Sequence, residues 1–343
     1  MENENGAQSE WGLSPLVFAI MIAATIQEKC SVHAMPSSNF GGLKRLAAPE
    51  GKRMSGMNDW LAEGLMISDG AWGTQLQARG LAPGTNPDTW NLTHPDKVEE
   101  VARAYADAGS QVILTNTFRA NAVAMPELSA NDLDAINRAG VEISKKGAVG
   151  RALVFASIGP IGKILMSGEV TAEQVSMAFA SQAKSLAAAG ADALLIETMS
   201  DIEEARLAVE AAKPMGLPVL ASFAFDSGKN KDRTMMGSTP EAVAEAMVEA
   251  GADAVGANCG VGVETSVSIC ERLHAACDLP VWIKPNAGLP KLDGSAIRYE
   301  TSAEYFASYF AGLRDAGASF VGSCCGSTPE FIQALVAARR ASR

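Results

Sequence analysis

Histidine is the scarcest catalytic residue type in this chain, which has only His33, His94 and His274 in 343 residues. Histidine-based triads and histidine-ligated metal sites therefore have little material to draw on. Positive charge is also in deficit, because 28 Lys and Arg stand against 39 Asp and Glu and give a net charge of −11. Nucleic acids and anionic membrane surfaces bind basic faces, so the sequence indicates neither as a partner.

The first 56 residues do not have the sequence pattern expected of a membrane span or of a signal peptide. The apolar run Pro15–Ile26 is too short to cross a bilayer as a helix. It follows the acidic start MENENG, whereas a signal peptide begins with basic residues, and no clear Ala-x-Ala cleavage site follows. Residues 27–56 are rich in Ser, Gly, Pro and Lys without periodicity. We expect residues 1–56 to be a poorly ordered extension from an upstream start codon, with Met54 or Met57 as the native beginning; a targeting peptide is the alternative.

From about residue 60 onward, short apolar runs alternate with segments of helical periodicity. The apolar runs predict eight β-strands, over residues 65–69, 111–118, 152–159, 193–198, 218–225, 254–259, 280–287 and 320–325. The helical segments cover residues 95–108, 129–147, 171–189, 201–213, 239–250, 263–277, 301–316 and 328–340. Eight such units predict an α/β protein with one (β/α)8 TIM barrel over residues 57–343.

A weak internal repeat supports the barrel. Four helices end at a glycine suited to a left-handed stop, before strands 2, 4, 6 and 8: Gly109, Gly190, Gly251 and Gly317. The seventh residues after these glycines are Asn116, Glu197, Asn258 and Cys324. Alternate strands of a barrel contribute to the same interior layers, so these polar residues are expected at the mouth, where the active site of this fold lies.

Three cysteines carry the strongest chemical signal. Cys259 ends strand 6 in GANCG, and Cys324 and Cys325 end strand 8 in GSCCGSTPE. Thiolates are preferred ligands of Zn²⁺, and three of them without an obvious fourth ligand leave a coordination position open, as in a catalytic site. A vicinal disulfide and buried cysteines that act as small apolar residues are the alternatives. The six cysteines have no disulfide-scaffold spacing, and exposed thiolates suit a reducing cytoplasm.

Two further groups fit an amino-acid substrate. Strand 1 ends in SDGAWGTQL, where Asp69, Gly70 and Thr74 belong to a glycine-rich turn whose N–H groups are suited to a carboxylate. Glu197, at the end of strand 4, is suited to an ammonium group. With a thiol held by the metal, both ends of one substrate would be bound. The alternative is that Asp69 and Glu197 are capping or ion-pair residues.

The chain resembles the homocysteine S-methyltransferases, which include the homocysteine-binding barrel of cobalamin-dependent methionine synthase and the betaine–homocysteine methyltransferases. The resemblance runs from about residue 60 to 340 and rests on DGAWGTQL, NLTHPDKVEEVARAYADAGSQVILTNTFRAN, LLIETMSDIEEA, GANCGVG and GSCCGSTPEFI. It implies zinc at Cys259, Cys324 and Cys325. It also implies homocysteine contacts near Asp69, Gly70 and Glu197, with Asn116 and Asn258 at the mouth. Ser323 and Ser327 depart from the common glycine and threonine.

The methyl donor is less constrained by sequence. The chain has no D-x-H-x-x-G corrinoid motif, so the donor is either a small molecule or a methylated corrinoid on another protein. A betaine site wants aromatic faces, and four aromatic side chains lie near strand ends: Trp72, Trp90, Phe118 and Phe223. The segment RTMMGSTP with GANCGVG is similar to short bacterial enzymes assigned to betaine, which favours betaine or another small onium donor.

Two other functions fit parts of the sequence. Lys284, in WIKPNAG on strand 7, occupies a position suited to a Schiff-base lysine of an aldolase-like barrel, but that function leaves the three cysteines unexplained. A zinc- or thiol-binding barrel without catalytic activity is the other alternative, and it leaves Asp69 and Glu197 without a purpose. The oligomeric state is not determined by the sequence, although the helix faces are compatible with a homo-oligomer.

Overall fold

The computed structural model describes residues 55–293 and 296–342. Nearly all of the predicted N-terminal extension, residues 1–56, lies outside the described residues, so its expected state stays a prediction. The first described element is helix α1, Ser55–Leu61, which leads into the first strand.

Eight parallel strands form a ring, as the sequence predicts for a TIM barrel. Neighbouring strands are hydrogen-bonded in the order β1, β10, β7, β6, β5, β4, β3 and β2. An isolated parallel bridge between Ser68 and Val112 joins the two ends of this order. The strands are β1 Met66–Ile67, β2 Val112–Leu114, β3 Leu153–Ile158, β4 Ala193–Met199, β5 Val219–Phe223, β6 Ala254–Cys259, β7 Val281–Pro285 and β10 Ala318–Val321.

The helices occupy the predicted segments around this ring. Several begin where their sequence predicts: Thr171 accepts the N–H of Gln174 in a capping box, and Pro240 stands at the first position after the cap Thr239. The helices after α1 are α2 Gly73–Gln77, α3 Trp90–Thr93, α4 Pro95–Ala108, α5 Ala130–Ala148, α6 Ala172–Ala188, α7 Ile202–Ala212, α8 Pro240–Ala250, α9 Val263–Ala276, α10 Ala303–Ser308, α11 Phe310–Asp315 and α12 Pro329–Ala341.

Two details differ from the sequence prediction. The segment 301–316, predicted as one helix, is divided into α10 and α11 at Tyr309, whose backbone (φ −83°, ψ −6°) lies near the bridge region. A small antiparallel hairpin, β8 Lys291–Asp293 and β9 Ala296–Arg298, follows β7. Each of its strands has only three residues, too few to give a recognisable alternation of apolar and polar residues.

The barrel interior changes from apolar to polar towards the carboxyl ends of the strands. Its apolar part includes Phe155, Trp282 and Phe320. Helix α1 adds Met57 and Trp60 to this apolar part, away from the carboxyl ends of the strands. Because side chains alternate along a strand, the next inward positions are two residues further on. On five of the strands an inward position near the carboxyl end is polar and buried: Ser157, Glu197, Ser222, Asn258 and Lys284. This polar layer lies directly beneath the mouth. Within the described part of the chain, no helix has the length and apolar content needed to cross a membrane.

Glu204 on α7 gives the fold a testable pH dependence. Its Oε1 accepts a 2.7 Å hydrogen bond from the N–H of Ile161, and burial raises its pKa from 4.5 to about 7. The folded protein therefore holds this proton more tightly than the unfolded chain, so the free energy of unfolding falls as pH rises from about 4.5 to 7. Glu204→Gln keeps an acceptor without the charge. In urea unfolding followed by circular dichroism, we expect the variant to be more stable than the wild type at pH 8 and equally stable near pH 5. Equal urea midpoints at pH 8 would contradict this.

Candidate metal centre

The three cysteines predicted to act together meet at the barrel mouth. Cys259 is the last residue of β6, and Cys324 and Cys325 follow β10. Their Sγ atoms all lie within 4.8 Å of one another, and those of Cys259 and Cys324 are 3.1 Å apart. All three are free thiols and are partly exposed. The structure therefore has neither a vicinal disulfide nor inert core cysteines here. By contrast, Cys270 and Cys277 are buried in the core.

The backbone turns sharply to bring these thiols together. Cys259 has a left-handed backbone (φ 58°), as does Thr198 (φ 62°) at the end of β4. Such conformations cost about 1–3 kcal/mol in non-glycine residues and concentrate at functional sites. On the other side of the mouth, Cys324 N–H donates to the Pro285 carbonyl at 2.7 Å, and Cys325 N–H donates to Asn286 Oδ1 at 3.0 Å. Strand β7 and the residues just after it thus anchor the cysteine pair.

The donor set fits a zinc ion. In a tetrahedral site with Zn–S bonds of about 2.3 Å, ligand sulfurs lie about 3.8 Å apart. The observed sulfur separations, from 3.1 Å to at most 4.8 Å, bracket that value. Three soft sulfur donors favour zinc over hard cations such as Mg²⁺ or Ca²⁺ and leave one tetrahedral position for another ligand. The cluster can therefore hold a metal ion with an open position.

The thiols do not ionise equally. Hydrogen bonds from the Cys259 and Cys325 thiols, with the Lys284 ammonium nearby, hold the pKa of Cys324 well below its usual value. The hydrogen bond to Cys324 raises the pKa of Cys259 in turn. The three thiols therefore titrate as one coupled group in which Cys324 is the favoured site of negative charge. Metal binding has to displace the remaining protons, so it is pH-dependent.

Glu197 lies in the polar layer below the cysteines. Its carboxylate accepts a hydrogen bond from the Ser157 hydroxyl, and burial raises its pKa from 4.5 to about 7. Asn258 fixes the end of the Glu197 strand, because its Oδ1 accepts from the Thr198 N–H at 2.8 Å and from the Ser222 hydroxyl at 2.7 Å. Asn258 Nδ2 also donates to Thr198 Oγ1 at 2.6 Å. Asn258 therefore links the carboxyl ends of β4, β5 and β6.

Asp69 is fully buried and its carboxylate is already engaged. Its Oδ2 accepts from the Trp72 indole at 2.7 Å and from the Leu114 N–H at 2.8 Å, and its Oδ1 is 3.3 Å from Lys284 Nζ. These contacts agree with the alternative that Asp69 is an ion-pair residue. A direct contact between Asp69 and a substrate stays a prediction.

The other residues of the glycine-rich turn are placed next to the cysteine loop. A Cβ on Gly70 would lie 2.5 Å from Tyr105 Oη and 2.8 Å from Ser327 Oγ, so only glycine fits there. Thr74 lies in the first turn of α2, and its buried hydroxyl has no hydrogen-bond partner among the described residues. No described residue uses the hydrogen-bonding capacity of this hydroxyl. Asn116 Nδ2 donates to the Pro87 carbonyl at 2.8 Å and to Asn91 Oδ1 at 3.0 Å. Substrate contacts of Thr74 and Asn116 stay predictions.

Ser327 joins the glycine-rich turn to the cysteine loop. Its Oγ accepts from the Ala71 N–H at 3.0 Å and donates to the Cys324 carbonyl at 2.8 Å. The sequence showed it only as a departure from a common threonine, so this role was missed.

Loss of the Ser327 hydroxyl has a predictable cost. Ser327→Ala leaves the buried Ala71 N–H unpaired, so we expect the free energy of unfolding to fall by about 1–3 kcal/mol. Urea unfolding of the metal-free protein measures this change. Ser327→Thr retains the hydroxyl and is the control that should recover most of the loss. An alanine variant as stable as the wild type would show that the contact contributes nothing.

The aromatic side chains near the mouth divide into buried and accessible ones. Phe223 is fully buried, and Trp90 is buried and stacked on His94 at a centroid distance of 4.5 Å. Trp72 and Phe118 are half-buried. The sequence missed Tyr299, which directly follows the β8–β9 hairpin. A Cβ on Gly326 would lie 2.1 Å from the Tyr299 ring. Burial is the main cause that raises the pKa of the Tyr299 phenol, and the negative charges of the three cysteines raise it further. Tyr299 is therefore an aromatic face close to the thiols.

Lys284 does not have the properties of a Schiff-base lysine. It is buried, its Nζ donates to the Gly70 carbonyl at 2.8 Å, and Asp69 is its ion-pair partner. Burial alone would lower the pKa of Lys284, but the negative charges of Asp69, Cys324 and Glu197 raise it. A lysine nucleophile needs a lowered pKa and access to a carbonyl substrate, and Lys284 has neither.

Fold and site together define a class: a (β/α)8 barrel with a candidate three-thiolate metal centre at the carboxyl ends of its strands. The model of the family "Homocysteine S-methyltransferase" matches residues 66–339, and the chain belongs to this family. The recognition made from the sequence motifs is thereby confirmed.

Solved structures and curated proteins agree with this assignment. The metallated form of the homocysteine methyltransferase MmuM from Escherichia coli has a TM-score of 0.69 at 24% identity, covering 82% of this chain and 99% of that one. Its apo form has a TM-score of 0.64 at 25% identity, covering 80% and 95%. The methionine synthase of Mycobacterium tuberculosis is 31% identical over 302 residues, and that of Mycobacterium leprae is 31% identical over 300 residues. These matches cover 82% and 81% of this chain. The chain spans about a quarter of the length of these curated relatives, 25% and 24% respectively.

Proposed function

We propose that this protein is a zinc-dependent homocysteine S-methyltransferase that forms methionine, with betaine or another small onium compound as the methyl donor. The observation that carries the proposal is the convergence of three free thiols, with one open coordination position, above a buried carboxylate in a barrel of this family. A bound zinc ion would supply a position at which a thiol loses its proton near neutral pH and stays nucleophilic.

The protein's own residues would bind and orient homocysteine. Cys259, Cys324 and Cys325 would hold the metal, and Glu197 would accept the substrate ammonium. The turn from Gly70 to Thr74 would receive the substrate carboxylate through N–H groups and the free Thr74 hydroxyl. Fixing both ends of the substrate aligns its sulfur with the donor methyl, and such alignment supplies a large part of the rate enhancement in a two-substrate reaction.

An onium donor is supported by the aromatic faces at the mouth. Quaternary ammonium groups bind over aromatic rings, with attractions of about 0.5–2 kcal/mol per ring. Tyr299 lies against Gly326 beside the cysteine pair, and Trp72 and Phe118 are half-buried near neighbouring strand ends. A donor methyl held by these faces would approach the substrate sulfur from the open side of the centre.

A methylated corrinoid carried by a separate protein is the second candidate donor. Its support is that the curated relatives are methionine synthases, about a quarter of whose length the match covers. In this case the mouth would receive a partner protein rather than a small onium ion.

A donor panel distinguishes these functions. Zinc-loaded protein is incubated with homocysteine and, in turn, betaine, other onium donors and methylcobalamin, and methionine is measured. Methionine from an onium donor alone supports the first function, and methionine from methylcobalamin alone supports the second. Stoichiometric zinc binding without turnover of any donor would contradict both and would favour the non-catalytic thiol-binding barrel.

A further inference from the structure

Lys284 occupies a special place between the two cysteine-bearing strands. On one side of β7, Asn258 pairs with Lys284 and Cys259 pairs with Pro285. On the other side, Cys324 N–H donates to the Pro285 carbonyl at 2.7 Å. Lys284 thus points into the polar layer one residue before the level of the cysteines. Among the described residues, it is the only Lys or Arg that is buried.

The ion pair with Asp69 compensates the buried positive charge of Lys284 only in part. The two N–H donors of Asp69, from Trp72 and Leu114, both reach its Oδ2. Its Oδ1 is 3.3 Å from Lys284 Nζ, longer than the roughly 2.7–2.9 Å of a strong charge-assisted bond. The short bond of the ammonium, 2.8 Å, goes to the Gly70 carbonyl. Besides Asp69, the negative groups that act on Lys284 are Cys324 and Glu197.

The charge balance at the three-cysteine centre indicates a role for the positive charge of Lys284. Three thiolates around a divalent ion carry a net charge of −1, and the thiolate of a bound homocysteine makes it −2. A buried charge that is not compensated is strongly unfavourable. Among the described residues, the Lys284 ammonium is the buried cation that can offset the charge that the substrate sulfur brings.

We propose that Lys284 is a positioning residue that stabilises homocysteine in its thiolate form at the three-cysteine centre. When the substrate binds, its S–H bond breaks, the proton passes to solvent buffer and the electron pair stays on sulfur; no oxidant or reductant takes part. Lys284 itself stays protonated. The inference rests on the proposed function, because it requires a metal at the three cysteines and homocysteine as its ligand.

Calorimetry of ligand binding tests this role without measuring turnover. Homocysteine is titrated into the zinc-loaded full chain in two buffers of different ionisation enthalpy, which yields its affinity and the protons released. Methionine, which has the same amino-acid end but no ionisable sulfur, is the control ligand. In Lys284→Met we expect homocysteine to bind about 10–100-fold more weakly, with less proton release, while methionine binds as in the wild type. Lys284→Arg keeps the charge and should retain homocysteine affinity within a few-fold.

The outcomes separate a charge effect from a structural one. Equal weakening of homocysteine and methionine in Lys284→Met would overturn the inference, as would wild-type affinity and proton release for homocysteine. If Lys284→Met does not fold, Asp69→Asn/Lys284→Met removes both charges of the ion pair, and the same loss confined to homocysteine is expected. A double variant that binds homocysteine like Asp69→Asn alone would show that Lys284 serves only Asp69. Failure of the wild type to bind zinc or homocysteine would instead overturn the proposed function itself.

Discussion

Replacing Cys324 with alanine is expected to abolish both stoichiometric zinc binding and methionine formation. Cys324 is the member of the cluster whose pKa is lowered, and its sulfur lies 3.1 Å from that of Cys259. Without it, two thiols remain at the mouth, and two ligands do not make a closed or a catalytic zinc site. We expect zinc per chain, measured by elemental analysis after dialysis, to fall from about one to near zero. We expect kcat/KM for homocysteine to fall by about 1,000-fold or more, because no other group at the mouth replaces the metal.

The matched control is Cys277→Ala. Cys277 is also a cysteine outside any disulfide, but it is buried in the core at the end of α9 and lies outside the three-cysteine cluster. This variant should keep one zinc per chain and wild-type kcat/KM, at some cost in stability. A Cys324→Ala protein that still binds one zinc ion and forms methionine would contradict the proposed centre.

Replacing Glu197 with glutamine is expected to weaken homocysteine binding by about 10–150-fold, the range for losing one hydrogen bond to a charged group. Glutamine keeps the shape and can still accept from the Ser157 hydroxyl, so the polar layer should be preserved. It cannot supply the negative charge that the substrate ammonium needs. The loss should appear in the dissociation constant for homocysteine, measured by calorimetry, and zinc stoichiometry should not change.

The same residue predicts a pH dependence. Burial raises the pKa of Glu197 to about 7, so the unliganded carboxyl group is largely protonated at pH 6 and largely ionised at pH 8. An ammonium binds the ionised form, so homocysteine affinity should rise with pH through about 7 in the wild type. Part of this rise should vanish in Glu197→Gln. Glu204→Gln is the control. The pKa of Glu204 is similarly raised, but its carboxylate accepts a hydrogen bond from the Ile161 N–H and has no proposed contact with the substrate. Identical pH profiles for wild type and Glu197→Gln would exclude this role for Glu197.

The barrel and the convergence of the three cysteines could be predicted from the sequence because both follow from local patterns. Helices that end at left-handed glycines such as Gly109 and Gly251 start the next strand at a fixed distance. Counting from these glycines therefore placed Glu197, Asn258 and Cys324 at the same level of the barrel. The structure places Glu197 and Asn258 in the polar layer and Cys324 at the mouth above it.

The contacts that organise the site could not be predicted in this way. Lys284 bonds to Gly70 across 214 residues of sequence, and Ser327 bonds to Ala71 across 256 residues. Such pairs depend on how strands meet around the ring, and neither residue has a local pattern that marks its partner. Tyr299 was missed because it belongs to a loop with a short hairpin rather than to a barrel strand. The contacts of Asp69 to Trp72, Leu114 and Lys284 were likewise not predictable, and its expected contact with a substrate stays a prediction.

In the proposed function, three cysteines hold a zinc ion whose open position accepts the sulfur of homocysteine. X-ray absorption at the zinc edge, recorded on the full chain with and without homocysteine, counts the sulfur neighbours of the metal. We expect three sulfur neighbours and one lighter atom at zinc in the free protein, and four sulfur neighbours after homocysteine is added. A sulfur count that stays at three with saturating homocysteine, or fewer than three sulfurs in the free protein, would contradict this proposal.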